Sequence, residues 1–236
     1  TNLETYQSRF WLKEEFLKKI GKSSSGFLLE LFSRVDALVD QDLVYYDHQM
    51  DMETCFEKYS FHEFKWHRTP NGDMEWVFML NRQGYLVDLA VAFYVTKEEK
   101  YLKKWKEIVF DFILENEKEI SHPEASWRVL DAGIRLMNWV KSLTYLPLSE
   151  FSELERKQIQ EAMSLHVNYI RTHLQEKHLL SNWGVLAVSG VLSFVYFFDE
   201  QPELYLWAKE TLLNQASLQF TKKGLYWEQS PLYHHQ

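Results

Sequence analysis

Segments that are apolar on almost every side alternate along this chain with segments that carry a single apolar stripe. The first kind occupies 80–95, 127–145 and 182–198. The second kind, with Lys and Glu opposite the stripe, occupies 98–116, 150–174 and 202–220. A helix that is apolar all round must be covered by protein, whereas an amphipathic helix can face water on one side. The alternation, at a spacing of roughly fifty residues, therefore predicts an inner and an outer layer of antiparallel helices.

The helix termini support this interpretation. Thr96 with Glu99, and Ser152 with Glu155, have the spacing of capping boxes, and Pro202 suits the first turn of a helix. Two earlier helices are predicted near 4–20 and 25–40, and strand signals are scarce. With only 8 Gly and 5 Pro in 236 residues, the predicted fold class is all-α. The architecture is a two-layer antiparallel helical barrel or arc, which is an α/α toroid.

Composition limits the partners. The formal net charge of -8 argues against nucleic acid, because phosphate contacts require clustered Lys and Arg. The uncharged run from His178 to Phe198 is long enough for a bilayer, but its Ser, Asn and Gly residues and the lack of a flanking basic cluster favour a buried helix. We therefore expect no membrane span. The single cysteine, Cys55, excludes an internal disulfide. The chain has no signal-like segment, and its compartment is not established.

Residues 41–79 show no clear helical period and are rich in aromatic side chains. They are predicted to form a long irregular segment, of the kind that often has a function in a compact domain. The aromatic rings there could stack on sugar rings or pack in the core, and the sequence leaves both alternatives open.

A polar stripe runs along the helix predicted from Trp127. Its members are spaced three, four, three and four residues apart and so share one face; they are Arg128, Asp131, Arg135, Asn138 and Ser142. One interpretation is an internal ladder of ion pairs. The other is that Arg135 or Asn138 contacts a polar, anionic ligand in a central cavity.

Asn182 stands at the start of the last apolar segment. Asn is a favoured N-cap residue, and Ser181 could share that role. A helix N-terminus also favours an anion, so a cap and a ligand-binding amide are compatible. Near the end of the chain, Tyr233, His234 and His235 offer a phenol and two imidazoles, without a third ligand at a spacing typical of metal sites. We therefore predict neither a metal nor another cofactor.

Four segments together resemble the heparinase II/III-like polysaccharide lyases, in the order and context found in that family. They are DMEWVFMLNRQGYLVDLAVAF, WRVLDAGIRLMNWVKSL, SNWGVLAVSG and YWEQSPLYHH, and the resemblance covers about residues 60–236. It implies an incomplete α/α toroid, usually followed by a β-sandwich domain. On this interpretation 1–236 is a single toroid domain that ends before the β-sandwich.

The resemblance also implies a reaction, β-elimination at a uronic acid in an acidic oligosaccharide or polysaccharide. Asn182 matches the family's Asn that neutralises the uronate carboxylate, and the following Trp183 resembles the heparinase III type. Tyr233 matches the catalytic Tyr, with His234 as its partner or base. A further His supplied from later in related chains would be missing here. Candidate substrate-binding residues are Trp76, Asn81, Arg82, Trp127, Arg135 and Asn138.

Two other functions compete with elimination. A glycoside hydrolase on a similar toroid would need paired carboxylates, for which the sequence offers Asp73, Glu75, Asp131 and Glu228 without a recognisable motif. A carbohydrate-binding fragment without turnover is the third alternative.

Overall fold

The structure is a computed structural model that describes residues 26–46, 54, 57–116, 120–198 and 201–227. Its α-helices are α1 (Gly26–Gln41), α2 (Phe61–Phe64), α3 (Met74–Arg82), α4 (Tyr85–Thr96), α5 (Glu99–Glu115), α6 (Pro123–Ser126), α7 (Val129–Tyr145), α8 (Glu153–His173), α9 (Glu176–Leu179), α10 (Asn182–Phe198) and α11 (Pro202–Gln219). A 3-10 helix covers Leu148–Glu150, and strands β1 (Leu43–Val44) and β2 (Tyr59–Ser60) pair antiparallel. The predicted helix near 4–20 lies outside the described residues.

The helices form two layers, as the alternating pattern predicted. In the inner layer, α7 packs against α4 on one side and α10 on the other. In the outer layer, α5 packs on α4, α8 packs on both α7 and α10, and α11 packs on α10. The helix predicted at 25–40 is α1, which packs against α4. The all-α, two-layer prediction is therefore confirmed.

The outer helices bury the stripes that their periodicity indicates. On α5, the side chains of Trp105, Val109 and Phe112 are at most 1% exposed. The capping box of α8 is formed, because the Ser152 hydroxyl accepts from the backbone N–H of Glu155 at 3.2 Å and the Glu155 carboxylate accepts from that of Ser152 at 2.7 Å. Covering these apolar stripes by the inner layer removes them from water, which is the main stabilising contribution in such a fold.

Two expectations about helix termini need correction. The capping box at Thr96 is wrong, because Thr96 is the last residue of α4 and its hydroxyl donates to the carbonyl of Ala92. The apolar segment 80–95 is two helices, because Gln83 has a φ of 55° and interrupts the chain between α3 and α4. Helix α3 begins at Met74, so the last residues of 41–79, which were predicted to be irregular, are helical.

The aromatic residues of 41–79 that the structure describes pack mainly into the core. Phe64, Trp66 and Trp76 are at most 4% exposed, and their rings meet neighbouring rings edge-on, as at Tyr59 and Trp76, whose centroids are 4.7 Å apart. Edge-to-face contacts are a preferred geometry for aromatic pairs. For these residues the core alternative holds over sugar stacking.

Glycines let the inner helices α7 and α10 approach closely. A Cβ on Gly133 would lie within 3.0 Å of the backbone of Ala187, and one on Gly190 would lie within 3.0 Å of the backbone of Gly133. The two helix backbones therefore touch where no side chain separates them. This contact fixes how far the two helix N-termini stand apart, and both termini belong to the site described below. No helix among the described residues is long and apolar enough to cross a bilayer.

Candidate functional site

Asn182 is half-buried in the first turn of α10, and the turn before it is held firmly. Gln219 reaches back from α11 and donates its side-chain amide to the carbonyls of Leu179 and Ser181, at 2.7 and 3.1 Å. The indole N–H of Trp227 donates to the Leu180 carbonyl at 2.6 Å. Three consecutive backbone carbonyls thus accept hydrogen bonds from side chains, which fixes where α10 begins.

Two arginines share one buried carboxylate beside this turn. Asp131 is fully buried and accepts from Arg82 Nε at 2.8 Å and from Arg128 Nε and Nη2 at 2.5 and 3.2 Å. The arginine side chains remain about a fifth exposed, at 22% for Arg82 and 18% for Arg128. Hydrogen bonds between ionised groups are about twice as strong as neutral ones. The cluster of Arg82, Asp131 and Arg128, here called the arginine cluster, carries one net positive charge and keeps a face open to solvent.

Arg128 connects this cluster to the start of α10. Its guanidinium carbon lies 3.1 Å from the centroid of the Phe78 ring and 5.2 Å from that of Trp183, within the range of cation–π attraction. Trp183 in turn lies nearly parallel to the His178 ring, with centroids 6.1 Å apart. Because Trp183 follows Asn182 directly, Arg128 links the arginine cluster to the turn that carries the amide.

The local field at this end of the inner layer favours an anion. Helix α7 begins at Val129 and α10 begins at Asn182, and each helix N-terminus contributes a partial positive charge. The net charge of the arginine cluster adds to both. An amide side chain can donate a hydrogen bond there without exchanging a proton. The arrangement is suited to binding a carboxylate or sulfate.

A cavity of about 390 Å³ opens beside the arginine cluster, between α1, α4 and α7. Arg82, Asn138 and Lys141 line it, together with the ion pair of Arg34 and Asp88. Asn138 donates its side-chain amide to the Arg82 carbonyl at 2.8 Å. Of the predicted substrate-binding residues, Arg82 and Asn138 therefore do lie at a cavity.

Arg135 is placed differently from the prediction. It is fully buried, and donates to the Nε2 atom of His166 at 2.7 Å and to the carbonyls of Asn81 and Ser126 at 2.7 and 2.8 Å. Burial lowers the pKa of Arg135 to about 9, which leaves it charged at neutral pH. With no exposed surface, Arg135 is not positioned for the predicted contact with substrate. It does not belong to an ion-pair ladder either, although Arg128 and Asp131 do form the predicted pair.

His166 supports Arg135 from the outer layer. Its Nε2 accepts from the guanidinium, so its Nδ1 carries the proton and donates to the Ala162 carbonyl at 2.7 Å. Burial, and then the positive charge of Arg135, hold the pKa of His166 well below its ordinary value. The imidazole is therefore neutral in the folded protein. This pair joins α7 to α8, one helical turn along α7 from Asp131.

Three more predicted substrate contacts are core residues. Trp76 is 2% exposed, and Asn81 and Trp127 are 0% exposed. The Asn81 amide donates to the backbone carbonyls of Trp66 and Val77, at 2.7 and 2.9 Å. The Trp127 indole donates to Asn116 at 2.7 Å. Trp76 and Asn81 are thus enclosed in the core, whereas the buried Trp127 borders a cavity of about 260 Å³.

Tyr233 and His234 lie outside the described residues, and so does Glu228. Their predicted roles stay predictions. Within the described part of the chain, no group of three or more His, Cys, Asp or Glu side chains is placed to hold a metal ion.

Sequence reasoning did not assign Arg128 or Trp183 to the site. Arg128 was recognised only as a member of the polar stripe, and Trp183 only as the residue that follows Asn182. The available signal was the three-residue spacing from Arg128 to Asp131, which places the two side chains together on one helix face. The contact between Arg128 and Trp183 joins residues that are far apart in the sequence, and no local pattern shows it.

Two solved structures share this fold. Heparan sulfate lyase HepC from Pedobacter heparinus superposes with a TM-score of 0.72 at 18% identity, over 98% of this chain and 36% of that one. The heparinase III that is the BT4657 gene product superposes with a TM-score of 0.72 at 21% identity, over 99% of this chain and 38% of that one. The chain thus spans less than two fifths of the length of each. A search of curated protein sequences found no significant match.

The sequence itself matches a family over almost its entire length. The model of the heparinase II/III N-terminus aligns with residues 28–236, a range that contains the arginine cluster, Asn182 and all the described inner helices. The chain belongs to the heparinase II/III N-terminus family.

Proposed function

We propose that the protein containing this chain is a polysaccharide lyase that cleaves a uronic-acid-containing glycan by β-elimination. The single observation that carries the proposal is the arginine cluster, whose Arg128 lies 5.2 Å from the ring of Trp183, the residue that follows Asn182 in the first turn of α10. Family membership supports the same conclusion. So does the shared fold with proteins named as a heparan sulfate lyase and a heparinase III.

The proposed chemistry requires charge stabilisation next to a carboxylate. A base takes the C5 proton of the uronic acid, the C4–O bond breaks, and a C4=C5 double bond forms. As C5 loses its proton, negative charge spreads onto a carboxylate that is already anionic. Hydrogen-bond donors that are already in position where negative charge develops usually make the largest single contribution to catalysis. Asn182 is proposed to donate to that carboxylate, with Arg82 and Arg128 supplying the positive field.

The proton transfers are proposed for residues outside the described part of the chain. Tyr233 is assigned to protonate the departing oxygen or, when ionised, to remove the C5 proton, with His234 as its partner. These roles rest on the family resemblance. A phenol has an unperturbed pKa of about 10, so action as a base requires a nearby cation to favour the phenolate. Arg82, which is partly exposed, is a better source of that field than the buried Arg135.

Hydrolysis is a weaker fit to the described carboxylates. A glycoside hydrolase needs one carboxyl group to protonate the leaving oxygen and another to act on the opposite side of the sugar ring. Asp131 is fully buried and accepts three hydrogen bonds from arginine, which leaves it without access to a sugar. Asp73 caps α3 by accepting from the backbone N–H of Glu75 at 3.0 Å. These contacts give both carboxylates structural roles.

The test is absorbance of the unsaturated product. The complete protein is incubated with a panel of acidic glycans, as the wild type and as Asn182→Ala and Tyr233→Phe. We expect the wild type to release an ultraviolet-absorbing product from at least one glycan. Removing one preorganised donor should lower kcat of Asn182→Ala by at least about 10²-fold.

A matched control separates a site effect from general damage. Asn168 is an exposed asparagine on the outer helix α8, and Asn168→Ala should keep the wild-type rate. Near-normal elimination by Asn182→Ala would refute the role given to this amide. Glycan binding without any unsaturated product from the wild type would instead favour a non-catalytic carbohydrate-binding protein.

A further inference from the structure

A second cavity, of about 330 Å³, lies between the inner helices α4, α7 and α10. Its lining combines apolar side chains such as Leu192 with two tyrosines, Tyr145 and Tyr196, and the lysine Lys141. A mostly apolar lining with a few convergent polar groups is typical of a small-molecule or sugar site. This cavity contains none of the residues of the arginine cluster.

The second cavity continues the first one along α7. Val87 and Lys141 line both of them, so the two share a wall. On α7, Asn138 lines the first cavity, Lys141 lines both and Tyr145 lines the second. At a rise of about 1.5 Å per residue, Lys141 stands about 20 Å along the helix from Arg128. Several linked sugar rings span such a distance.

Lys141 brings a positive charge to the junction of the two cavities. Its side chain is exposed, and no ion pair joins it to an acidic residue in the part of the chain that the structure describes. The buried lysine Lys104, by contrast, is paired with Asp42 and Glu107. An exposed ammonium between two cavities is suited to an anionic group on a ligand, because ammonium groups bind carboxylates and sulfates as compact point charges.

The two tyrosines offer ring surfaces for a sugar. Tyr196 is 53% exposed although it lies on an inner helix. Its ring is set edge-on by Tyr205, with centroids 6.0 Å apart, and the Tyr145 ring is set in the same way by Tyr94 at 6.1 Å. Rings fixed by such contacts keep a face available with little loss of side-chain entropy on binding. Tyrosine also combines an apolar face with a polar hydroxyl.

We infer that the cavity between α4, α7 and α10 is a distal sugar-binding site, in which Lys141 contacts an anionic substituent of an acidic oligosaccharide and Tyr145 and Tyr196 contact its rings. The choice of ligand rests on the proposed function. The site is remote from the reacting sugar, so it selects long substrates without taking part in bond cleavage.

The inference is tested by equilibrium binding, which does not require turnover. Titration calorimetry is carried out on the complete protein carrying Asn182→Ala, with a uronic-acid tetrasaccharide and a decasaccharide of the same repeat. Lys141→Ala should weaken binding of the decasaccharide about tenfold, which corresponds to about 1.4 kcal/mol. Binding of the tetrasaccharide should stay unchanged. Added salt should reduce the difference between the variants, because exposed charges are screened.

The matched control is Lys103→Ala, which removes an exposed lysine from the outer helix α5. It should bind both oligosaccharides as the parent does, and all variants should keep the parental thermal midpoint. A second variant, Tyr196→Ala, should also weaken only the decasaccharide.

The outcomes separate the two proposals. Equal decasaccharide binding by Lys141→Ala and Lys103→Ala would overturn the distal site, and elimination by the wild type would then stand on its own. Length-dependent loss at Lys141 in a protein that forms no unsaturated product would support the site while refuting the lyase. Equal weakening of both oligosaccharides would place Lys141 near the reacting sugar and so overturn the inference. Decasaccharide binding that Tyr196→Ala leaves unchanged would show that this ring does not contact the sugar, and would also overturn the inference.

Discussion

Replacing Arg135 by Met should lower the stability of the protein without weakening its affinity for substrate. The guanidinium is fully buried and makes hydrogen bonds to His166 and to the carbonyls of Asn81 and Ser126. It also lies 4.4 Å from the centroid of the Phe112 ring. Methionine preserves most of the stem and its contacts with the ring, so the main loss is polar.

The magnitude follows from the acceptors that are left behind. Each of the three buried acceptors loses its arginine donor, at a cost of about 1–2 kcal/mol each. Relief from burying a charge offsets part of this, since the Nη2 atom has no hydrogen-bond partner among the described residues. The expected net loss is about 3 kcal/mol in the free energy of unfolding. In a domain of this size that lowers Tm by about 6–12 °C.

The assay is urea denaturation and calorimetry, combined with binding of an acidic oligosaccharide at a temperature where the variant is folded. Arg156→Met, an exposed arginine of α8, is the control and should change Tm little. A variant at Arg135 with wild-type Tm but weakened binding would refute the reasoning. That result would mean that the guanidinium is a substrate ligand, as the sequence first suggested.

Three further predictions concern the arginine cluster, His166 and the contact between α7 and α10. Asp131→Asn removes the carboxylate that holds Arg82 and Arg128. It should lower the free energy of unfolding, measured by urea denaturation, by about 3 kcal/mol, and it should lower kcat/KM at least about tenfold. Burial lowers the pKa of His166. Just below pH 6.5 the imidazole is therefore protonated in the unfolded state but not in the folded state. Stability should therefore fall by about 1.4 kcal/mol per pH unit from there towards the folded pKa, and His166→Gln should lack this share of the slope. Gly133→Val would press a side chain into the backbone of α10 and should cost about 2 kcal/mol, measured as a lower Tm.

Much of the fold was predictable because it depends on which side of a helix is apolar. The stripe of α5 and the capping box of α8 are local patterns, and both are observed. The break at Gln83 was not predictable in the same way. Apolar residues resume on both sides of the polar stretch 81–84, and the one local signal is Gly84, which follows the left-handed Gln83.

The polar stripe of α7 shows why the candidate site was harder to predict. Spacing places Arg135 and Asn138 on one side of the helix, but the boundary between core and cavity passes between them. Asn138 lines the cavity, whereas Arg135 is buried against His166. Which half of a polar stripe is covered depends on the outer helix that packs there, and the sequence of α7 contains no information about it.

The arginine cluster also explains why a buried carboxylate belongs at a site for an anion. Two arginines placed alone near each other would repel, and their side chains would spread into solvent. Two carboxylates would cancel both positive charges and leave nothing to attract a ligand. One carboxylate shared by two guanidinium groups holds both in fixed positions through charge-assisted hydrogen bonds. It leaves one net positive charge on the three side chains, so the same contact orders the N-terminus of α7 and prepares the site for an anionic sugar.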